Sequence, residues 1–195
     1  MSYINVADLK LYRGIDESAD DGLLATLIAA AQKAIENYTR RVFEAAADGT
    51  RTFDVATMVT GRTLYLDKDL CAITTITNNA DGGVGNTEVL TTSHYTTLPR
   101  NDTPYYAIRL LDSTGKYWRY TSNSENGVTI LGKWAYSTTP PDDIKQACRR
   151  LAGYLYQLKD SQVYDMTADI GTGQLIIPKG IPADVKMILD PYRRL

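Results

Sequence analysis

Apolar residues change their spacing twice along this chain. Leu24, Leu27, Ile28, Ala31, Ile35, Tyr38 and Val42 recur at intervals of three and four, the repeat of one helix face. Thr26, Gln32, Lys33, Glu36 and Arg40 fall mostly elsewhere on the wheel. The spacing predicts an amphipathic helix over about 21 to 41. A shorter helix is expected before it, over 6 to 12. Asn5 would cap its start, with Asp8 three residues on completing a box-like pattern, and Gly14 suits its C-terminal cap. The acids of "GIDESADDG" lie just ahead of the second helix, where they favour its positive end.

From about Thr50 to Tyr136 alternation replaces the helical period, and Thr, Val, Tyr, Asn and Gly dominate. Strands are expected near 51–55, 63–66, 73–78, 95–98, 107–111, 117–121 and 128–136. The breaks between them, "NNADGGVGN", "PRNDTP", "DSTGK" and "NSENG", carry turn chemistry. Connections this short do not accommodate crossover helices, so pairing should be antiparallel. Evenly spaced short strands suggest a small sandwich or barrel.

The helical period then returns. Pro140 and Pro141 stand at the joint: the residue before a proline is pushed away from helix, and Pro141 suits a first turn, where the missing N–H costs nothing. Asp142 and Asp143 complement the helix start. Ile144, Ala147, Cys148, Leu151, Ala152, Leu155 and Leu158 form one stripe. A last short helix is expected after Pro182, with Val185, Ile188 and Leu189 as its apolar side and Pro191 ending it. Each helical block has a single apolar face that it cannot bury alone. The expected fold is therefore α+β: a small helical bundle from the N- and C-terminal parts, with an inserted antiparallel β domain that is sandwich- or barrel-like. The boundaries expected are 1–46 and 139–195 for the two halves of the helical part and 47–138 for the insertion.

Composition narrows the class more than the activity. The chain has 195 residues and a formal net charge of −2, without the basic excess of a general nucleic-acid binder. The two cysteines, Cys71 and Cys148, are far apart and in no motif, and read as free, buried thiols. The start "MSYINVADLK" lacks the pattern of a signal peptide, and no apolar stretch approaches a membrane span. Fourteen tyrosines against two phenylalanines fit a protein that packs against others, although sheets also favour tyrosine.

Candidate chemistry is sparse. His94 is the one histidine, and zinc needs a cluster of three or four ligands. No "GxSxG" elbow is present, and "DGGVGN" and "GTG" lack a phosphate-loop ending. Asp67 and Asp69 in "YLDKDL" lack the later glycine and glutamate of a calcium loop, so a solvated turn is expected there. No catalytic, cofactor-binding or metal-binding residue is assigned, and no enzymatic activity is expected. Tyr164, Leu175, Ile176, Ile177, Tyr192, Arg193 and Arg194 are candidate interface residues: they are apolar, aromatic or basic in the part least able to form its own core. A second reading makes the β part a binding module for a glycan or peptide, with Tyr117, Trp118, Tyr120, Trp134 and Tyr136 on an exposed aromatic platform. A third, weaker one is a hydrolase with an unrecognised site.

Several stretches together resemble the head–tail connector, or adaptor, proteins of tailed bacteriophages. They are "ADLKLYRGI" followed by acids and "LLATLIAAAQKAIENYTRRVF", then "LYLDKDLCAITTITN", then "VTILGKWAYSTTPPDDIKQACRRLAGYLYQLKD", and the final "IPADVKMILDPYRR". The resemblance implies a ring of identical subunits, a dodecamer, docked under the portal protein of a DNA-filled capsid. It implies a tail-side neck or tail-completion partner, DNA passing through the centre, no membrane, and a place in the virion neck after synthesis in the bacterial cytoplasm. It also implies C-terminal segments reaching toward the portal or the adjacent subunit. Smaller members of that family are almost all helix, and the β insertion here is larger.

Overall fold

The computed structural model describes residues 2–45, 47–158 and 180–194. Tyr164, Leu175, Ile176 and Ile177 lie outside the described residues. The chain divides into two compact units, one of Met1–Arg40 with Pro141–Leu195, the other Arg41–Pro140.

In the helical unit, α1 (Val6–Arg13) starts at a complete capping box. The Asn5 side chain accepts from the Asp8 N–H at 2.7 Å, and the Asp8 carboxylate accepts from the Asn5 N–H at 3.2 Å. It stops at Gly14, whose φ of +66° is left-handed. α2 (Asp21–Thr39) ends two residues earlier than expected, because Arg40 turns left-handed at φ +57°. α4 (Asp142–Leu158) begins one residue after Pro141. The Pro141 carbonyl accepts the first bond, from the Lys145 N–H at 3.0 Å, so the proline caps the helix instead of occupying its first turn. α5 (Ala183–Leu189) follows Pro182. Its end is not made by Pro191, which sits inside a 3₁₀ turn at Asp190–Tyr192.

α2 packs on α4, α1 on both, and α5 on α4 and α2. Leu9, Leu24, Ile28, Ile35, Ile144, Leu151, Val185 and Leu189 are buried, each large side chain contributing about 1.5–3 kcal/mol. The expected stripes on α2 and α4 are the ones that face inward.

The β unit holds two four-stranded antiparallel sheets. The first has the order β1 (Gly49–Phe53), β8 (Val128–Lys133), β4 (Ala72–Asn78), β5 (Glu88–Leu90). The second has β2 (Val59–Thr60), β3 (Thr63–Leu70), β7 (Tyr105–Leu110), β6 (Tyr95–Leu98). A four-residue helix, α3 (Val55–Met58), links β1 to β2. Neither sheet closes on itself. Phe53, Leu64, Leu66, Leu70, Ile76, Leu90, Ile108, Leu110, Val128 and Ile130 come from both sheets into one core, which makes the unit an open sandwich.

Three strand expectations change in kind or length, and two strands are new. β3 runs on to Leu70 through the "LDKDL" that reads as a turn. Asp69 is buried there, and its carboxylate meets the Arg41 guanidinium at 2.7 Å, which offsets the cost of burying charge. β8 stops at Lys133, because Trp134 and Tyr136 leave the ladder for partners in the chain before it: the Trp134 indole N–H donates to Gly49 O at 2.8 Å, and the Tyr136 N–H to Val42 O at 2.8 Å. Residues 117–121 form no strand. The short β2 and β5 are too brief for alternation to reveal.

At Gly132 the backbone of β8 meets a register slip in β4 between Ile73 and Thr75. A Cβ at this position would collide with the Ala72 carbonyl oxygen, so only glycine fits so close an approach.

Candidate assembly surfaces

Tyr192, Arg193 and Arg194 belong to a clasp on the helical unit. After α5 the chain turns at Asp190–Tyr192 and runs back over the end of α2. The Tyr38 hydroxyl donates to Asp190 Oδ1 at 2.6 Å. The Arg193 guanidinium lies 5.2 Å above the Tyr38 ring, a cation–π contact. The Tyr192 hydroxyl donates to Asp143 Oδ2 at 3.3 Å. The Arg194 N–H donates to Thr39 O at 2.9 Å, satisfying a carbonyl that the last turn of α2 leaves open. Arg150 and Asp184 tie α4 to α5 at 2.8 Å. Donation to Asp190 raises the Tyr38 pKa, helped by partial desolvation and the Asp190 charge and opposed by Arg193. These residues therefore hold a shaped corner of the helical unit together.

At one end of the sandwich, single side chains replace a strand. Asn78 is fully buried at the end of β4. Its Nδ2 donates to Tyr117 O at 2.9 Å and its Oδ1 accepts from the Arg119 N–H at 3.1 Å, imitating one rung of a sheet. Asp81 accepts from the N–H groups of Thr121, Ser122 and Asn123 at 2.7–3.1 Å. Bonds from Asn123 and Ser122 pull its pKa down to about 2. Glu88 meets Lys116 and, at 3.7 Å, Arg119; its hydrogen bond with Lys116 leads in holding its carboxyl below the usual range.

That arrangement turns Trp118 inward. It is 7% exposed, joins the sandwich core, and donates its indole N–H to Arg62 O at 2.9 Å. Trp134 packs on Phe53 beneath Arg51, and Tyr136 on Phe43 beneath Arg41. Tyr117 and Tyr120 are exposed at 61% and 48%. The five aromatics expected on one platform thus point to different places, and Trp118 is core.

The outer faces of the sandwich are the surfaces that sequence reasoning missed. On the first sheet, register places Thr52, Thr129, Thr77 and Val89 in one outward row and Thr50, Leu131 and Thr75 in the next. On the second sheet, the outward rows are Thr60, Thr63, Arg109, Thr96 and Tyr65, Ala107, Leu98. Of these fourteen side chains only Arg109 is charged, and it is paired with Asp112 at 3.4 Å; the next outward row of the first sheet carries Lys133 opposite Ala72. The signal was present as threonines two apart in "TRTF", "TTIT" and "TT", but alternation without a charged outer position does not tell the two faces of a strand apart.

Reactive chemistry is thin among the described residues. No group of three or more His, Cys, Asp or Glu could hold a metal ion. His94 Nδ1 accepts from the Thr91 N–H at 3.1 Å. Burial pushes the Cys148 thiol up to about 12 and also raises that of Cys71, so neither is poised as a thiolate. No described helix is long and apolar enough to cross a membrane.

The head completion protein family model matches residues 2–195. The chain belongs to the head completion protein family. Membership bears out the head–tail connector resemblance read from the sequence. No curated protein matches the chain. Among solved structures, a chain in the neck of an empty gene transfer agent particle, computed with C6 symmetry, shares the fold at TM-score 0.61 and 19% identity, covering 99% of this chain and 90% of that one. A chain in the neck of the native particle, computed with C12 symmetry, aligns at TM-score 0.57 and 19% identity, over 97% and 88%. A chain of the native gene transfer agent virion aligns at 0.57 and 18%, over 99% and 90%. The α+β fold of this head completion protein is thus that of a neck chain along nearly its whole length.

Proposed function

We propose that this head completion protein is a structural part of the virion neck and joins the capsid portal to the tail as a ring of identical subunits around a DNA channel. The family match over residues 2–195 carries the reading. The necks that hold chains of this fold, computed with six- and twelve-fold symmetry, support a ring of twelve, which satisfies both. A heterologous ring needs two different patches on each subunit. The ring meets the portal on its head side and a neck or tail-completion protein on its tail side. The clasp carrying Tyr192, Arg193 and Arg194 serves as one of its contacts, as a fixed shape and not a free arm.

A slightly acidic chain suits a channel in which DNA must slide, since strong phosphate binding would hold it. The protein's work is to keep geometry, and it catalyses no reaction. A nonsense mutation in this reading frame, followed by electron microscopy of the lysate, tests the reading. DNA-filled heads beside separate tails are expected. Normal infectious particles would overturn it.

A further inference from the structure

Arg13 stands in the last turn of α1, and its side chain lies across α4. A Cβ at Gly153 would stand 3.0 Å from Arg13 Cδ and 3.6 Å from its Nε, and the nearest atoms there are all from Arg13. Gly153 is buried inside α4, a position where glycine weakens a helix relative to alanine. Its missing side chain makes room for the arginine. Yet the seated guanidinium has no partner among the described residues: Nε is buried without a hydrogen bond, and no ion pair forms at Nη1 or Nη2. Burial of the Nε edge leaves the Nη1–Nη2 edge at the surface. Arg149, four residues before Gly153 on the same face of α4, also makes no ion pair among the described residues. A basic residue in the last turn complements a helix's negative end, but Lys10 is already there, and that role needs no seat on a second helix.

We infer that Arg13 is the cationic half of an ion pair between copies, and that the other half is a carboxylate on the β unit of the next subunit, Asp102 or Glu125. This rests on the ring reading above. A guanidinium edge matches a carboxylate in two-bond geometry. DNA is a poorer match: the exposed Asp16 and Glu17 follow closely in the chain and repel a run of phosphates. The chain itself holds the carboxylates required. Among the described residues, the exposed acids whose carboxylates make neither a hydrogen bond nor an ion pair are Asp16, Glu17, Asp102 and Glu125. The first two share a corner with Arg13, so pairing them between copies would bring like patch to like patch and close a two-fold dimer instead of a ring. The other two stand on connections of the β unit: Asp102 between β6 and β7, Glu125 in the 3₁₀ turn Ser124–Asn126 before β8. Arg13 on the helical unit and an acid on the β unit are two different patches, as a contact that propagates head to tail requires.

The test is charge reversal in particles that carry the full chain. Arg13→Glu should lower tailed-particle yield by about tenfold or more, while the purified chain melts near wild type. Gly153→Ala is the second variant. Alanine favours the helix, so the melting temperature should hold, but the added methyl unseats Arg13 and yield should fall several-fold. Either Asp102→Lys or Glu125→Lys alone should reproduce the loss. The same reversal combined with Arg13→Glu should restore most of the yield, because the pair is rebuilt with its signs exchanged. A misfolded Arg13→Glu chain would not be rescued in this way. Normal yield in Arg13→Glu or in Gly153→Ala would overturn the inference. A loss that neither acid reversal rescues would assign the anion to another neck protein or to DNA and would overturn it too, while rings visible by microscopy in wild-type necks would leave the ring reading standing. Wild-type necks without a ring would remove both.

Discussion

The helical unit and the sandwich solve the same problem, satisfying buried backbone, in different ways. In the helices α1, α2, α4 and α5 peptide groups bond mainly within their own helix, and the stripes Leu24–Ile28–Ile35 and Ile144–Leu151 have only to meet. In the sandwich, residues 117–123 run beside the sheets without joining them. Their backbone is held by Asn78 and Asp81, and their position by the Trp118 indole on Arg62. Stability in the first unit is spread over many similar contacts. In the second it hangs on a few dissimilar ones, so single substitutions should have uneven effects there.

Trp118→Ala is the strongest way to break that arrangement. It empties a large core position and frees the 117–123 segment, and should cost about 4 kcal/mol in chemical denaturation. Ile28→Ala, an ordinary core truncation in the helical unit, should cost about 3 kcal/mol. Next comes Gly132→Ala. The added methyl meets the Ala72 carbonyl, backbone that cannot rotate away, and about 2–3 kcal/mol of overpacking cost is expected. If Gly132→Ala melts like wild type, the close approach of β8 to β4 is not required.

The contrast also explains what could be read from the sequence. Helices α1, α2, α4 and α5 were legible because each carries a repeating apolar stripe with a cap or proline at its border, as at Asn5 and Pro141. Most strands were legible from alternation and turn residues. Residues 117–121 misled because "YWRYT" has the composition of a strand, while its hydrogen bonds come from a side chain at position 78. The "LDKDL" stretch misled because its burial depends on Arg41, twenty-eight positions away from Asp69. Of the candidate interface, the cluster Tyr192-Arg193-Arg194 was visible as chemistry, but its folding back onto Tyr38 and Thr39 was not. The threonine-rich outer faces of the sheets needed strand register, which a sequence does not print.

Asn78→Ala sharpens the comparison at one rung. It leaves Tyr117 O and the Arg119 N–H without their partner, for an expected cost of about 2 kcal/mol. Lys33→Ala on α2, which removes an exposed side chain lying 3.7 Å from Glu36, should stay within about 0.5 kcal/mol. Equal costs at the two positions would remove the distinction between the units.

Acid acts on the same segment. The Asp81 carboxyl has its folded-state pKa lowered from 3.8 to about 2, so its contribution is fully present above about pH 4 and is lost as pH falls through 2. Glu88 is held low in the same direction, chiefly by Lys116. Wild type should therefore lose melting temperature between pH 4 and pH 2, and Asp81→Asn should lose less across that window. Identical pH profiles would mean that the segment is anchored without the Asp81 charge.

The smallest effect on stability is expected at Arg193, and it separates two roles for the clasp. Arg193→Ala removes an exposed cation–π contact above Tyr38, worth about 0.5–1 kcal/mol. The Arg194 N–H bond to Thr39 and the Tyr38–Asp190 bond do not involve the lost side chain, so the helical unit should keep its fold. If the guanidinium serves only this unit, tailed-particle yield should follow that small loss and stay near wild type. If the corner meets a neighbouring subunit or the portal, yield should fall several-fold with the melting temperature almost unmoved. Arg193→Lys then decides the chemistry: a lysine keeps the charge over the tyrosine ring but not the planar fork, so recovery of yield by lysine would assign the contact to charge, and failure to recover would assign it to bidentate hydrogen bonding with the partner.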